Sequence, residues 1–400
     1  MNSATAISFE LDDIEAAAQE LTDQIKGKLT FGKNTVAILH GQPDMEIGEL
    51  SGAVSQKLGC QVIGGTTAAG AILSNDGYHE LAIMLHVLTD DDCLFAAAIS
   101  GSMADDPEKE ITEVYQKALQ GLKDQDANAE PKMIICVSSL VQSIASDNLL
   151  EKLSQLCGHL PVFGYIAADD FEFCKQQVYL DGECGGDRLA VLLLSGNLQL
   201  LFQTANLAGK QSLEKRLVTK AHDNIICEVD GKPAYEYIKD FPFINDETTV
   251  LFNYQFFVEM QNDSFNDGVP VSRALNTFDR ETGEVTCFAN VPENSYIGLL
   301  YCTGNDVATT SESGIKEFLS KLNNADSSYK YSTVIVATCS LRNMFLADMR
   351  ETEGNLISEM IPDDLTVSGL YAFGEIAPTS VRDSKAVNRF HNATFTLCAF

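Results

Sequence analysis

Short, continuous apolar runs alternate with amphipathic stretches along this chain, which is the signature of buried strands joined by helices. Residues 9–29 carry Leu11, Ile14, Ala17, Leu21 and Ile25 at helical spacing and predict an opening amphipathic helix. A pattern then begins that recurs. Residues 35–40 (TVAILH) read as a buried strand, 45–58 as a helix, and 61–65 (QVIGG) as a second strand opening into the small-residue loop 66–70. A turn at Asn75-Asp76-Gly77 leads to a hairpin partner over 80–88 (ELAIMLHVL).

The same order returns twice. Residues 132–138, 147–157, 161–165 and 188–194 give strand, helix, strand and pairing strand, with 166–170 as the loop. Residues 333–338, 344–360, 366–370 and 393–400 repeat it, with 371–378 as the loop. A glycine stands at the mouth of each second strand: Gly64, Gly164 and Gly369. The fold class this predicts is α/β, with mixed sheets, outer helices and repeated strand–helix–strand–hairpin units in two lobes. The polar segment 208–223 is the best boundary. After it come a strand at 224–229, a turn at Asp230-Gly231-Lys232, and a helix starting at Pro233. Strand and loop material is expected over 250–260 and 262–282.

Composition narrows the function. Against 57 Asp+Glu stand 27 Lys+Arg, a net charge of −30, which repels phosphate backbones and anionic lipid surfaces. Nucleic-acid and membrane-surface roles are therefore not expected. The apolar runs at 81–88 and 189–194 are of strand length, well short of the ~18 residues of a spanning helix, and the first residues lack a secretory pattern. Eleven scattered cysteines, several inside apolar runs, fit a reducing compartment, so a cytoplasmic location is expected.

Catalytic and nucleotide motifs are missing. There is no phosphate-binding G-x-x-x-x-G-K-[ST], no Cys-x-x-Cys pair, no His-Glu-x-x-His and no G-x-S-x-G elbow. What stands out is the C-terminal block. Cys339-Ser-Leu-Arg342 leaves a buried strand and heads a helix, Gly369–Ile376 places Tyr371 and Glu375 beside glycine bends, and His391-Asn392 precedes the last strand. Brought together, Arg342, Glu375, Tyr371 and His391 would form a polar pocket suited to a zwitterion or to an axial metal ligand. Each has a structural alternative: an Arg342–Glu375 ion pair, an inert core Cys339, a hydrogen-bonded His391. Phe163, Phe171 and Phe173 read as core.

These residues carry a resemblance to the FIST sensory domain family. The N-terminal half resembles it through Val62-Ile-Gly-Gly-Thr-Thr-Ala-Ala-Gly70 and Pro161-Val-Phe-Gly-Tyr-Ile-Ala-Ala-Asp-Asp170, and the junction through 217–235. The C-terminal half does so through Cys339-x-x-Arg342, Gly369-x-Tyr-x-x-Gly-Glu-Ile376 and Phe390-His-Asn-x-Thr394. Gly65 stands where the family often has Cys or Ser, and Ala372-Phe373 stand for a usual Thr-Tyr. The resemblance implies an N-terminal helix at 1–30, a FIST N-terminal domain at 31–222 and a FIST C-terminal domain at 223–400. It implies a cytosolic, non-catalytic ligand sensor acting on a separate histidine kinase or cyclic-di-GMP enzyme. Stand-alone members of this length are similar to nitric-oxide-sensing haemoproteins, so the implied cofactor is haem b, with His391 as first-choice iron ligand and His40 as second. The competing expectations are an amino-acid-like zwitterion held by Arg342 and Glu375, and an enzyme with Cys339 as nucleophile.

Overall fold

A computed structural model describes residues 1–211, 214–241, 244, 251–252, 254–259, 268–383 and 385–400. The expectation of strand and loop over 250–260 and 262–282 falls partly outside these residues.

The recurring pattern closes into three sheets. The first repeat runs β1 (Asn2–Ser8), α1 (Ile14–Lys28), β2 (Asn34–Gly41), α2 (Ile47–Leu58), β3 (Gln61–Thr66), the hairpin β4 (Ile72–Ser74) and β5 (Gly77–His79), then β6 (Ile83–Asp90). The second runs β7 (Leu94–Ile99), α3 (Pro107–Gln125), β8 (Pro131–Ser138), α4 (Ser146–Leu156), β9 (Val162–Ile166), the hairpin β10 (Val178–Leu180) and β11 (Glu183–Gly185), then β12 (Leu189–Ser195). The third opens with β13 (Leu201–Asn206) and is interrupted by an insertion. That insertion comprises β14 (Lys210–Gln211), β15 (Arg216–His222), β16 (Ile225–Val229), β17 (Lys232–Pro233), α5 (Ala234–Ile238), β18 (Tyr254–Glu259), β19 (Val271–Phe278), β20 (Val285–Cys287) and β21 (Tyr296–Tyr301). The repeat resumes with α6 (Gly304–Asn323), β22 (Thr333–Cys339), α7 (Ser340–Leu346), α8 (Thr352–Met360), β23 (Thr366–Ala372), the hairpin β24 (Gly374–Arg382) and β25 (Lys385–His391), and β26 (Thr394–Ala399).

Each sheet pairs the repeat's two helix-linked strands in parallel and flanks them with antiparallel strands, and its last two strands come from another repeat. The orders are β1-β6-β2-β3-β10-β11, β7-β12-β8-β9-β24-β25 and β13-β26-β22-β23-β4-β5. The hairpins are thus exchanged in a ring, and one core is shared by all three sheets. Val36, Ile38, Ile135, Phe163, Ile335 and Phe400 meet there, while the helices cover the outer faces.

The recurring glycines are explained first by the close approach of the parallel neighbour strand. A Cβ on Gly164 would sit 1.8 Å from the Cys136 carbonyl oxygen, and one on Gly64 would sit 2.0 Å from that of Leu39. The Tyr179 ring of the exchanged hairpin lies over Gly64 and donates its hydroxyl to the Leu39 carbonyl at 2.9 Å. At Gly164 the three nearest atoms all belong to Cys136 of the parallel neighbour β8, and at Gly64 the borrowed Tyr179 ring adds to the obstruction.

The insertion is a small antiparallel barrel. Its strands follow the ring β21-β15-β16-β20-β19-β18 and return to β21, around Val218, Ile226, Phe256, Leu275, Val285 and Leu299.

Three local expectations change. The chain begins with a strand, because Ala4 and Ala6 alternate inward beneath α1, and the helix starts only at Ile14, capped by the Asp13 carboxylate. The turn at Asn75-Asp76 joins β4 to β5, so the apolar 83–90 strand returns to β2 instead of closing a hairpin. The helix expected over 344–360 is broken at Ala347, whose φ of 48° no helix accepts, into α7, a 3-10 turn and α8.

Two histidines face the shared core. His40 and His86 are fully buried, and burial pushes both rings down from 6.5 to about 3. Between those values the unfolded chain binds protons that the folded chain refuses, so stability falls as the pH drops below 6.5, by about 1.4 kcal/mol per unit and ring. Through the strand pairings, the second repeat places Leu192 where the first places His86. His86→Leu is expected to reduce the stability lost between pH 7 and pH 5 by about 2 kcal/mol in denaturant titrations. Gly164→Ala is expected to cost more than about 3 kcal/mol in the same assay, since the Cys136 backbone must give way.

Candidate functional site

The C-terminal residues singled out in the sequence divide into two clusters, one on the outer face of the third sheet and one on the inner face of the second. Arg342, at the start of α7, points outward beneath α6 and α8. Its Nε donates to Glu353 Oε1 at 2.9 Å, Nη2 to Ser311 Oγ at 2.7 Å, and Nη1 to the Ala393 carbonyl at 3.2 Å, all with no exposure. Ser311 and Thr338 complete the shell of Glu353. Tyr371 lies on this face too. Burial first, then the Glu353 carboxylate, push its phenol well above the ordinary range. The expected Arg342–Glu375 pair is therefore not formed. Glu353, which lies in the first turn of α8 and carries no motif, takes the guanidinium.

Glu375 lies on the inner face, opposite His391 in the β24–β25 ladder. One oxygen accepts from the Thr394 amide at 3.1 Å and its hydroxyl at 2.5 Å; the other has no partner. Burial outweighs these bonds and raises the carboxyl from 4.5 to about 8, so it is protonated at neutral pH. Cys339 sits beside it, and burial, followed by Glu375, pushes the thiol well above its usual value. A thiol held in this state is a poor nucleophile.

Haem does not fit the histidines proposed for it. His391 has no exposure, and its Nε2 faces the Ala377 carbonyl at 3.2 Å. His40 is equally enclosed, with Nδ1 3.2 Å from the Tyr165 hydroxyl in the shared core. A macrocycle needs a pocket of several hundred Å³ against its ligand, on the order of other cofactor sites. Both rings are instead packed on every side. Among the described residues no group of three or more His, Cys, Asp or Glu gathers to hold a metal ion.

The concave site lies elsewhere, at the seam between the three-sheet body and the inserted barrel. Five phenylalanines converge there. Phe171 and Phe173 come from the loop after β9, Phe373 from the turn between β23 and β24, and Phe252 and Phe288 from the barrel. Phe173 lies tilted against Phe373 at 4.8 Å and stacks on Phe288 at 6.3 Å, and Phe252 meets Phe288 at 5.6 Å. Cys339, Ser340 and Asn392 form the floor and Ala274 the barrel wall. The enclosed space is about 20 Å³, room for one water. Phe288 also ends an open groove of about 580 Å³ between the barrel and α3–α4, edged by Glu108, Asp147, Lys152 and Asp223.

The loop carrying Phe171 and Phe173 is built to hold them there. Both adopt positive φ, 64° and 57°, a conformation bulky residues rarely take. The buried Asp169 carboxylate maintains it by accepting from the amides of Phe173, Cys174 and Lys175 and from the Gln176 side chain. Across the seam, the buried Arg273 of β19 donates to Asp147 at 2.9 Å and to the Phe390 carbonyl at 3.0 Å, pinning the barrel to the body.

Of the residues read from the sequence, Cys339 and Asn392 reach this seam; Arg342, Tyr371 and His40 do not. Phe163 is core as expected, but Phe171 and Phe173 are not, and Phe173 is 41% exposed. The available signal was two phenylalanines straight after a strand and its Asp169-Asp170 pair. Phe252, Ala274 and Phe288 carried none.

Models of two domain families, FIST N domain and FIST C domain, match residues 35–232 and 234–378. No protein of curated function matches the chain. Among solved structures, cyanuric acid hydrolase from A. caulinodans is similar over 99% of this chain and 98% of its own, at 8% identity and a TM-score of 0.35.

The buried ion pair gives a direct check on the outer cluster. Glu353→Gln leaves the Arg342 guanidinium buried without its counter-charge and is expected to cost about 3–5 kcal/mol of unfolding free energy in urea titrations.

Proposed function

The chain belongs to the FIST family of sensory ligand-binding domains, and on that premise we propose that its ligand site is the phenylalanine-lined seam between body and barrel. The observation that carries this reading is the cage itself. Five aromatic rings from four separate segments are gathered, two of them on strained backbone, around a small space beside the partly exposed Phe173. Aromatic side chains left half-exposed in a cleft between rigid units mark a binding surface more often than a packing fault.

Ligand entry displaces Phe173 and opens the seam. The barrel joins the body through β13 and α6, so a small rotation about that junction and the Arg273–Asp147 contact changes the outer surface. That surface then docks on, or releases, a separate cytoplasmic partner, a histidine kinase or a cyclic-di-GMP enzyme. No helix among the described residues is long and apolar enough to cross a membrane, which suits a partner met in solution. The domain acts by binding and not by catalysis, since Cys339 at the seam is held as a thiol. The packing around His391 and His40 favours a small organic ligand over haem b with nitric oxide, and the saturation of Arg342 by Glu353 disfavours the clamp for a zwitterion.

A thermal-shift screen of small metabolites, with haemin included, tests this. Any compound that stabilises the protein should bind at least tenfold more weakly to Phe173→Ala and to Phe288→Ala, and haemin should give no Soret band. Unchanged affinity in both variants would place the ligand elsewhere.

A further inference from the structure

We propose that the occupant of this seam is an electrically neutral molecule with a flat apolar body and a carboxamide-type edge, taken up between Asn392 of the body and Gln255 of the barrel. The inference rests on the site assigned above and specifies its chemistry.

The first ground is charge. Among the described residues lining the cage none is an Asp, Glu, Lys, Arg or His, and Cys339 stays a neutral thiol. The nearest cations are committed: Arg342 to Glu353 and Arg273 to Asp147, both deep in the protein. Glu375, behind Cys339, holds a proton at neutral pH, because burial lifts it to about 8. A carboxylate or ammonium entering this space would lose its hydration without gaining a counter-charge, which binding does not tolerate.

The second ground is a set of buried polar atoms with nothing to bond. Asn392, on the cage floor and 2% exposed, spends its amide N–H on the His391 carbonyl at 3.2 Å, and its Oδ1 has no partner. Gln255 is the cross-strand partner of Ala274, the residue that forms the barrel wall of the cage. Its side chain therefore shares that wall's face. Gln255 has no exposure, and both Oε1 and Nε2 lack partners. Orphaned amides at these positions are costly, and they are retained where a ligand satisfies them.

The two grounds together describe the ligand. Asn392 Oδ1 demands a donor, and Gln255 offers one donor and one acceptor. A primary carboxamide supplies an N–H₂ and a carbonyl on one planar edge, while an attached ring takes the place that Phe173 vacates and stacks offset against the remaining phenylalanines.

The matched probes are benzamide, benzoate and benzylammonium, titrated calorimetrically into the full chain at pH 7. Benzamide is expected to bind at least tenfold more tightly than either ion. Asn392→Leu and Gln255→Leu are each expected to weaken benzamide at least fivefold in folded protein, and if either variant does not fold, the wild-type series decides. Tighter binding of either ion, absence of binding by all three, or unchanged affinity in both folded variants overturns the proposal. The cage variants are tested with whichever compound the broad screen yields. A seam that passes that test and fails this one keeps its role and loses its assigned chemistry.

Discussion

The structure depends on the exchange of hairpins among the three repeats. Each repeat builds a parallel strand pair and covers one side of it with its own antiparallel strands, leaving the other edge with unpaired backbone groups. β10–β11, β24–β25 and β4–β5 close these edges, each supplied by a different repeat from the one it completes. No sheet is therefore complete without another repeat, and the three fold around one shared core. The glycines at 64 and 164 answer to the parallel pair itself: the neighbouring strand's carbonyl approaches until a single methyl group has no room, and at Gly64 the exchanged Tyr179 ring closes the remaining side.

This arrangement also locates the seam. The turns into and out of the exchanged hairpins lie where β22, β9 and β26 end or begin, so Phe171, Phe173, Phe373, Cys339 and Asn392 arrive at one end of the body from distant parts of the chain. The barrel, inserted between β13 and α6, covers that end. The body's remaining polar groups there are internally committed, as Arg342 to Glu353 and Asp169 to the loop amides, and this leaves a cleft that is aromatic and uncharged. For all the chain's net charge of −30, no Asp or Glu stands among the described residues that line it.

Much of the frame was legible from residue order. The threefold recurrence of strand, helix and glycine-bearing strand follows from short apolar runs and amphipathic spacing, which report local burial directly. The strand β1 was not legible, because alternating alanines and serines carry little apolar signal. The break at Ala347 was not legible either, because an alanine gives no warning of a positive φ. Of the site, Cys339 and Asn392 were found by their place at strand ends. Arg342 was found as a residue of consequence, but with the wrong acid as its partner.

Local pattern was sufficient for most of the elements, the acidic balance and the membership of the chain in a sensory family, because each of these is written in neighbouring residues. Partner choice is different. Whether Arg342 meets Glu353 or Glu375, whether His391 lines a pocket or is sealed in a ladder, and which phenylalanines face a cleft depend on which repeat lends its hairpin to which sheet. That exchange joins segments a hundred or more residues apart, and such closures are settled by the packing of the whole chain and leave no periodicity behind.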